Sequence, residues 1–452
     1  MNNYTHRHNR SDGAVFTENN LLNQLDIFTD KLMRNNNINI EFPKNLTNLS
    51  ERDLTPEVCR ERLDLRNIPC FTIDCADTQD MDDAVSLSKS NDGYTLGVHI
   101  ADVAAYVTPG SELELVALSR GTSIYFPHRT IPMLPPVLSD SLCSLSSGED
   151  RNALSIIISL DREGDVRDYK FTKSLIHSRL KGTYTEVNDI LNGCADALIT
   201  SKYKSLMNTL FDMQILSEKL RGKRMEDGSG ASNNDEPKIV IENGNIEIIP
   251  HEKGVAEGII EEFMVIANRL VVEYFTENNL PVIYRVQREK QTLAGYLATQ
   301  CHHAELALER YLHFTSPIRR LADLKVHQVL TAHLNGMDNE MLHEIFGDSM
   351  ILAAERADKR NKTVNNMYAA CRRFCYTQFF ANRAEEKFTG EVVGRDRRNR
   401  AIIRLMESRI RIIGAAGLRL HEGQRISAKV RVAESGGGCE VYTYSLNKYQ
   451  AA

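Results

Sequence analysis

The chain has 452 residues, 42% of them hydrophobic, and a formal net charge of −6. This length and composition predict about three domains with apolar cores and exclude a chain that is disordered throughout. No apolar run approaches the roughly 20 residues of a membrane helix, and Met1–Gly13 is too polar for a signal peptide, so we expect a cytoplasmic protein without a membrane partner. Nine cysteines without a C-x-x-C pair indicate neither a disulfide framework nor a zinc site.

The first predicted element is a helix over residues 14–34, where apolar side chains recur at helical spacing. The Asn-rich stretch 35–48 that follows has the composition of turns and linkers. We therefore assign residues 1–61 to an N-terminal helix, arm and linker.

Five carboxylates follow within residues 74–83, between segments with strand-like apolar patterns. These patterns predict strands over Phe71–Ile73, Ala84–Leu87 and Tyr94–Val98, with a turn at 91–93 that joins the last two into a hairpin. The carboxylates are therefore expected in the loop between two paired strands.

Carboxylates that are this crowded need a cation nearby. Two unit charges about 4 Å apart repel by about 4 kcal/mol at an effective dielectric constant near 20. Oxygen ligands of this kind favour Mg²⁺, with Mn²⁺ as a substitute, and protein-bound magnesium commonly holds substrate phosphates as well. A solvated acidic loop is the alternative interpretation, because short motif matches are often accidental.

The rest of the chain alternates strands and helices and then becomes rich in short strands. The middle part predicts a strand over Tyr169–Ile176, helices over Tyr184–Leu191, Lys202–Leu220, Glu257–Phe275 and Leu321–Leu334, and a hairpin of Lys238–Ile241 and Ile246–Ile249 turned at 243–244. The C-terminal part predicts a small OB-type barrel with strands over Thr389–Val393, Ala401–Leu405, Arg409–Ile413, Arg425–Val432 and Glu440–Tyr444. Together these elements predict an α+β fold.

The predicted barrel is locally basic, although the chain is acidic overall. Between Lys387 and Arg431 there are 12 Lys or Arg residues and 4 Asp or Glu residues. A basic surface of this kind favours RNA binding, whereas a stabilising cap on the preceding domain is the alternative.

A second informative string is Thr315-Ser316-Pro317-Ile318-Arg319-Arg320. Pro317 predicts a helix start, and Thr315 or Ser316 would cap that helix. Arg319 and Arg320 would then lie in its first turn, where backbone N–H groups and guanidinium groups bind phosphate. An ordinary capped helix with solvated arginines is the alternative, but an acidic magnesium loop elsewhere in the chain favours phosphodiester chemistry.

Nine strings occur in the order in which they occur in the RNB catalytic domain of the ribonuclease II and ribonuclease R exoribonucleases. They are residues 64–66, 72–74, 80–84, 98–103, 121–127, 131–135, 142–145, 261–268 and 313–320. The chain resembles this family from about Arg62 to its C-terminus. The resemblance implies a catalytic domain over residues 62–384, in which helices flank a mixed β-sheet, and an OB-fold RNA-binding domain over residues 385–452.

The resemblance further implies a magnesium-dependent 3′-to-5′ exoribonuclease that hydrolyses single-stranded RNA to nucleoside 5′-monophosphates. It assigns catalysis and metal binding to Asp74, Asp80, Asp82 and Asp83, and it assigns transition-state support to Arg319. It assigns RNA contacts to Tyr125, Tyr184, Glu261 or Glu262, and Arg320. We add Ser316 as a candidate RNA-binding residue, and the basic charge of the barrel adds Arg397, Arg398 and Arg400. The alternative for each tyrosine is an ordinary core or rim aromatic. For His99 and Asp102 we expect structural roles, with Asp102 as a cap or hydrogen-bonding residue.

Two departures from the family affect this interpretation. Its well-known members carry two cold-shock barrels before the catalytic domain, whereas the first 70 or so residues here predict at most a helix and an arm. The family also inserts several helices into the stretch that corresponds to residues 287–312, which predicts a trimmed catalytic domain. The trimmed surface or the N-terminal arm could contact a protein partner. The alternative functions are a catalytically weak RNA-binding or regulatory protein, or a phosphodiesterase restricted to short oligoribonucleotides.

Overall fold

A computed structural model describes residues 18–54, 62–228, 237–242, 244–288, 291, 293–415, 419–432 and 439–446. Its helices are α1 Glu18–Asn35, α2 Lys44–Thr47, α3 Glu112–Arg120, α4 Tyr184–Leu191, α5 Ala197–Lys202, α6 Met207–Glu226, α7 Val255–Glu277, α8 Leu321–Leu334 and α9 Asn339–Ala381. Its first ten strands are β1 Leu63–Asp64, β2 Cys70–Asp74, β3 Asp83–Lys89, β4 Gly93–Ala101, β5 Ile124–Phe126, β6 Arg129–Ile131, β7 Asp150–Asp161, β8 Val166–Thr183, β9 Lys238–Glu242 and β10 Asn245–Ile249. The others are β11 Tyr284–Val286, β12 Gly295–Leu297, β13 Phe388–Arg395, β14 Ala401–Leu405, β15 Arg411–Gly414, β16 Arg425–Val432 and β17 Cys439–Leu446.

The centre of the fold is a mixed six-stranded sheet with the strand order β1-β8-β2-β3-β4-β7. Strand β8 runs parallel to β1 and β2, whereas the other neighbours are antiparallel. Because β8 has 18 residues, its first part also pairs with β7 while its last part pairs with β2. The mixed sheet of the predicted α+β fold is therefore confirmed.

The predicted hairpin of β3 and β4 forms as expected, with Gly93 at the start of its second strand. Gly93 has a φ of +147°, and a Cβ atom there would lie 2.0 Å from the carbonyl oxygen of Leu160 on β7. Glycine is required here because the neighbouring strand approaches the backbone too closely for any side chain. The turn that was predicted at 91–93 thus also sets the contact between β4 and β7.

Helices α8 and α9 both contribute to the core around the sheet, and α9 continues to the C-terminal domain. Helix α8 is almost wholly internal, since every residue of Leu321–Thr331 is buried. Helix α9 has 43 residues, which corresponds to about 65 Å at 1.5 Å per residue. Its buried residues up to Ala357 pack in the core around the sheet, and those from Val364 onward pack in a second core with the C-terminal strands. One helix therefore contributes to both cores.

The C-terminal strands form a closed barrel in the order β13-β14-β15-β17-β16, which confirms the predicted barrel. Helix α1 packs on α9, where the rings of Phe28 and Phe374 stack with centroids 4.7 Å apart. It also contacts the β5–β6 hairpin, because Arg129 donates hydrogen bonds to Thr29 and Asp30. Residues 14–17 of the predicted helix and residue 243 of the predicted β9–β10 turn lie outside the described residues.

Some predicted boundaries were wrong. The helix predicted over Lys202–Leu220 is interrupted at residues 203–206, and α6 then continues to Glu226. Tyr203 causes the interruption, because its buried ring reaches back to β8 and α4, where its hydroxyl bonds to Thr183 and Glu186. In the part of the chain that the structure describes, no helix is both long enough and apolar enough to cross a bilayer.

Candidate active site

The acidic loop lies between β2 and β3, as its sequence predicts. Asp74 is the last residue of β2, and Asp83 is the first residue of β3. The four carboxylates assigned to metal binding, together with Thr78, Tyr125 and Arg319, line one open cavity of about 240 Å³. The fold therefore brings together all five residues that were predicted to be catalytic.

Two residues that the sequence analysis did not single out hold this loop in place. Lys181 on β8 donates hydrogen bonds to the carbonyl oxygens of Ala76 (3.2 Å) and Thr78 (2.6 Å). Ser144 donates to the carbonyl oxygen of Gln79 (2.6 Å) and accepts from the backbone N–H of Met81 (3.2 Å). Ser144 belongs to one of the nine strings that resemble the family, so the sequence could have indicated its importance. For Lys181 no local signal exists.

Asp82 is the most enclosed member of the cluster, with 2% of its surface exposed. It accepts hydrogen bonds from the backbone N–H of Ile318 (2.8 Å) and from Nε of Arg319 (2.9 Å). Burial raises the pKa of Asp82 to about 7, although the positive charge of Arg319 acts in the opposite direction. Asp82 and Arg319 thus form a partly enclosed ion pair in the cavity.

The prediction that Arg319 and Arg320 lie in the first turn of a helix was wrong. Helix α8 begins at Leu321, and Arg320 is extended, with φ −133° and ψ 124°. Neither Thr315 nor Ser316 caps the helix. Instead, the carbonyl oxygen of Arg319 accepts hydrogen bonds from the hydroxyl of Thr122 (2.8 Å) and the N–H of Ser123 (3.0 Å). These contacts with a distant part of the chain hold the backbone extended at Arg320, directly after a turn over residues 317–319, and no local pattern reveals them.

Burial disfavours the charged forms of two further carboxylates, Asp74 and Asp83. The buried Oδ2 atom of Asp74 has no hydrogen-bond partner. Burial raises the pKa of Asp74 to about 6, and burial together with the charges of Asp74 and Asp82 raises the pKa of Asp83 well above its usual value. Asp80 accepts a hydrogen bond from the hydroxyl of Tyr125.

These carboxylates are the side chains of the cavity that could hold a hard divalent cation. Their chemistry fits such an ion, and the unpartnered oxygen of Asp74 lies at the same cavity. Among the described residues, however, no three His, Cys, Asp or Glu side chains are arranged as a ready-made metal site. Two of the four carboxylates are instead held by neighbouring side chains, Asp80 by Tyr125 and Asp82 by Arg319.

Both tyrosines predicted to contact bases lie beside the acidic loop. Tyr125 is 39% exposed, and its backbone N–H donates to the hydroxyl of Tyr368 on α9 (2.9 Å). Tyr184 begins α4, directly after Thr183, which pairs in register with Asp74. Burial and the charges of Asp83 and Asp74 raise the pKa of Tyr184, as expected for a ring at the edge of this cluster. The anchor Tyr368 had no signal in the sequence.

The structure places Glu261 and Glu262 away from the acidic cavity. Glu262 is 4% exposed and pairs with Arg224 on α6 (2.5 Å), and it lines a different cavity between α6 and α7. Glu261 pairs with Lys253 and lies 3.7 Å from Arg224. Their predicted contacts with a nucleotide stay predictions.

The other residues predicted to bind RNA divide into two groups. Near the cavity, Ser316 accepts a hydrogen bond from Nη2 of Arg319 (2.8 Å), and Arg320 pairs with Asp323 (2.7 Å). In the barrel, three arginines lie at the β13–β14 connection, where Arg397 and Arg398 are exposed and Arg400 pairs with Asp396. The predicted structural role of Asp102 is confirmed, because it caps residues 103–105 and pairs with Arg62 (2.6 Å). His99 is buried between the hydroxyls of Ser86 and Ser155, as a structural histidine should be.

Curated relatives of the chain are ribonucleases. Ribonuclease R of Thermotoga maritima is 33% identical over 389 residues, which cover 72% of this chain and 54% of the relative. Ribonuclease R of Aquifex aeolicus is 29% identical over 427 residues, which cover 81% of this chain and 60% of the relative. The chain thus spans between half and two thirds of the length of these relatives.

Solved structures show the same fold at low sequence identity. RNase R of Mycoplasma genitalium, in complex with ribose-methylated single-stranded RNA, has a TM-score of 0.80 and 21% identity, covering 94% of this chain and 78% of that chain. Yeast Ssd1, described as a pseudonuclease, has a TM-score of 0.65 and 17% identity, covering 89% of this chain and 57% of that chain. The RNB domain itself matches residues 62–293 and 288–336, and these two segments meet inside the stretch where the sequence predicts missing helices. Because this match covers more than half of the chain, the protein belongs to the RNB domain family.

Proposed function

We propose that this chain is a 3′-to-5′ exoribonuclease that hydrolyses single-stranded RNA and releases nucleoside 5′-monophosphates. The observation that carries the proposal is the cavity in which Arg319 pairs with the buried Asp82 beside three further carboxylates. Curated relatives named ribonuclease R, and a solved relative bound to single-stranded RNA, support the same reaction.

We assign Mg²⁺ to Asp74, Asp80, Asp82 and Asp83, with Mn²⁺ as a substitute. Bound there, the metal would polarise the scissile phosphate and supply an activated water. The unpartnered oxygen of Asp74 and the raised pKa values of this cluster support the assignment, because a cation stabilises the charged carboxylates together.

Arg319 can act directly on the phosphate that is cleaved. Its Nε is fixed by Asp82 and its Nη2 by Ser316, while 40% of the side chain stays exposed at the cavity. A guanidinium group held in this way stabilises charge on the equatorial phosphate oxygens without having to reorganise during the reaction. Asp82 thus orients the arginine in addition to its proposed contact with the metal.

Tyr125 and Tyr184 would hold the RNA by stacking on its bases. Stacking accepts every base, so it suits an enzyme that digests any sequence. The basic barrel, with Arg397 and Arg398 exposed, would contribute contacts to phosphates and a strong dependence on salt.

The test compares the wild-type chain with Asp82→Asn and with the control Asp77→Asn. Asp77 lies in the same loop, but it is exposed and does not line the cavity. The substrate is a 5′-labelled single-stranded RNA of about 30 nucleotides, which exceeds the roughly 4–16 nucleotides that one OB-fold covers. We expect the wild type and Asp77→Asn to shorten the RNA to a labelled end product in Mg²⁺, and we expect Asp82→Asn, excess EDTA and a DNA of equal sequence to give no shortening.

Three further results would change the assignment. If the labelled 5′ nucleotide were released first, digestion would run from the 5′ end. If thin-layer chromatography identified 3′-monophosphates, the proposed product would be refuted. RNA that stays intact but is bound tightly by all three proteins would instead identify a binding protein without efficient catalysis, as the likeness to a pseudonuclease allows. Digestion of short oligoribonucleotides alone would identify a phosphodiesterase of restricted substrate length.

Replacing Tyr125 by alanine should weaken RNA binding while Tyr125→Phe should not. A stacked base contributes about 1–3 kcal/mol, which corresponds to a rise in Kd of roughly 5-fold to 150-fold when the ring is removed. The phenylalanine variant keeps the ring and loses only the hydroxyl that contacts Asp80. Fluorescence anisotropy with labelled RNA, in the Asp82→Asn background, measures both Kd values. Equal binding by the alanine variant would contradict a stacking role.

A further inference from the structure

A second charged cavity, of about 370 Å³, lies between the C-terminal ends of α1 and α3 and the middle of α9. Three cationic side chains of α9 line it: Arg356, Lys359 and Arg360. The opposite walls carry side chains that can donate or accept hydrogen bonds, among them Asn35, Asn36, Asn37, Ser119 and Thr363. No carboxylate of the described residues lines the cavity.

The three cations have no acidic partner within the described residues. On α9, Arg356 precedes Lys359 by three residues and Arg360 by four, and like charges at these spacings on a helix repel. Asp358, which lies among them in the sequence, is engaged by Lys362 (2.7 Å) instead. The ion pairs of the described part of the chain include none with Arg356, Lys359 or Arg360.

The surrounding arginines show the effect of this uncompensated charge. Burial and the neighbouring charge of Arg356 lower the pKa of Arg360. Burial and the charge of Arg360 likewise lower the pKa of Arg120, at the end of α3, to about 10. Burial is the larger cause of both shifts, and repulsion between the positive charges adds to it, so an anion in this cavity would be stabilised.

The helix ends at the cavity neutralise only part of its positive charge. Arg360 donates a hydrogen bond to the carbonyl oxygen of Ser119 in the last turn of α3 (2.9 Å). The C-terminal ends of α1 and α3 each supply roughly half an elementary negative charge. Their sum is about one unit against three cations, so roughly two positive charges are left for a ligand.

We propose that Arg356, Lys359 and Arg360 form a phosphate-binding site separate from the acidic cavity. Guanidinium groups and an ammonium group without competing carboxylates are the recognition elements for a phosphate. The volume falls within the range of small-molecule sites, so it also admits the sugar that a phosphodiester carries. The ligand is a phosphate group, either on the backbone of RNA or as free phosphate.

The first test measures binding of inorganic phosphate by isothermal titration calorimetry, at constant ionic strength in chloride. The double variant Arg356→Gln/Lys359→Gln removes two exposed cations, and Arg373→Gln removes an exposed cation of the same helix outside the cavity. We expect the double variant to weaken binding by roughly tenfold for each cation removed, and we expect the control to bind as the wild type does. Equal binding by all three proteins, or no phosphate binding at all together with unchanged RNA binding in the double variant, overturns the proposal.

The second test identifies the source of the phosphate, and only this arm rests on the proposed function. RNA binding is measured against salt in the Asp82→Asn background, so no cleavage is needed. If RNA backbone is the ligand, the salt slope falls by about 0.7 for each lost phosphate contact, and inorganic phosphate competes with RNA. If phosphate binding depends on the cluster but the RNA slope does not change, the site takes free phosphate. Failure of the nuclease assay leaves the calorimetric result unaffected.

Discussion

Replacing Arg319 by glutamine is expected to lower kcat for RNA hydrolysis by about 10²–10³ while the Kd for RNA changes by less than about tenfold. The guanidinium group is fixed at the cavity by Asp82 and Ser316. Under the proposed function, its charge acts on the phosphate mainly in the transition state. An interaction of that kind appears in kcat rather than in binding. Single-turnover cleavage of labelled RNA gives the rate, and anisotropy gives the Kd.

Arg319→Lys provides the comparison, because lysine keeps the charge but loses the planar fork that contacts two partners. We expect its rate to lie between those of the wild type and Arg319→Gln. Arg373→Gln, on the exposed side of α9, should cleave RNA at the wild-type rate. The contrary result is an unchanged kcat with weaker RNA binding, so that the rate falls only at subsaturating RNA. The arginine would then be a binding residue only.

Replacing Glu114 by glutamine should lower the free energy of unfolding by about 3–5 kcal/mol. Glu114 on α3 and Lys325 on α8 are 5% and 1% exposed, and their charged atoms lie 2.7 Å apart. Glutamine keeps the shape of the side chain but leaves the ammonium group of Lys325 buried without a counter-charge. Urea unfolding followed by circular dichroism measures the loss.

Two variants distinguish this buried pair from ordinary surface charge. Glu112→Gln removes an exposed carboxylate two residues earlier in the same helix, and it should cost less than about 1 kcal/mol. The double variant Glu114→Leu/Lys325→Met removes both charges, so it should be much more stable than Glu114→Gln. A Glu114→Gln protein as stable as Glu112→Gln would contradict a stabilising role for the buried pair.

Local sequence patterns were sufficient where neighbouring residues determine the structure. The turn at 91–93 and the apolar runs around it predicted β3 and β4. Helical periodicity, unlike the start signal at Pro317, gave the observed bounds of α8, Leu321 and Leu334. The acidic cavity was also predictable, because its four carboxylates belong to one loop between two paired strands.

Contacts between distant parts of the chain explain what the patterns missed. Arg319 lies outside the helix because Thr122 and Ser123 bind its backbone, which a window around Pro317 cannot reveal. Helical periodicity placed Glu262 on α7 correctly, but not its pairing with Arg224 on another helix. The length of α9 was missed for a related reason, since its apolar side chains pack in two different cores and follow no single pattern.

The ion pair of Asp82 and Arg319 joins residues that lie 237 positions apart in the chain. A ribosome adds roughly 5–20 residues per second, so a growing chain carries its carboxylates for roughly 10–50 s before Arg319 has been made. Cleavage that needs both groups therefore cannot begin while the nascent chain is too short to include Arg319, however early the acidic loop folds. Under the proposed function, the messenger RNA is therefore read past the codon for Arg319 before the protein that it encodes can attack RNA.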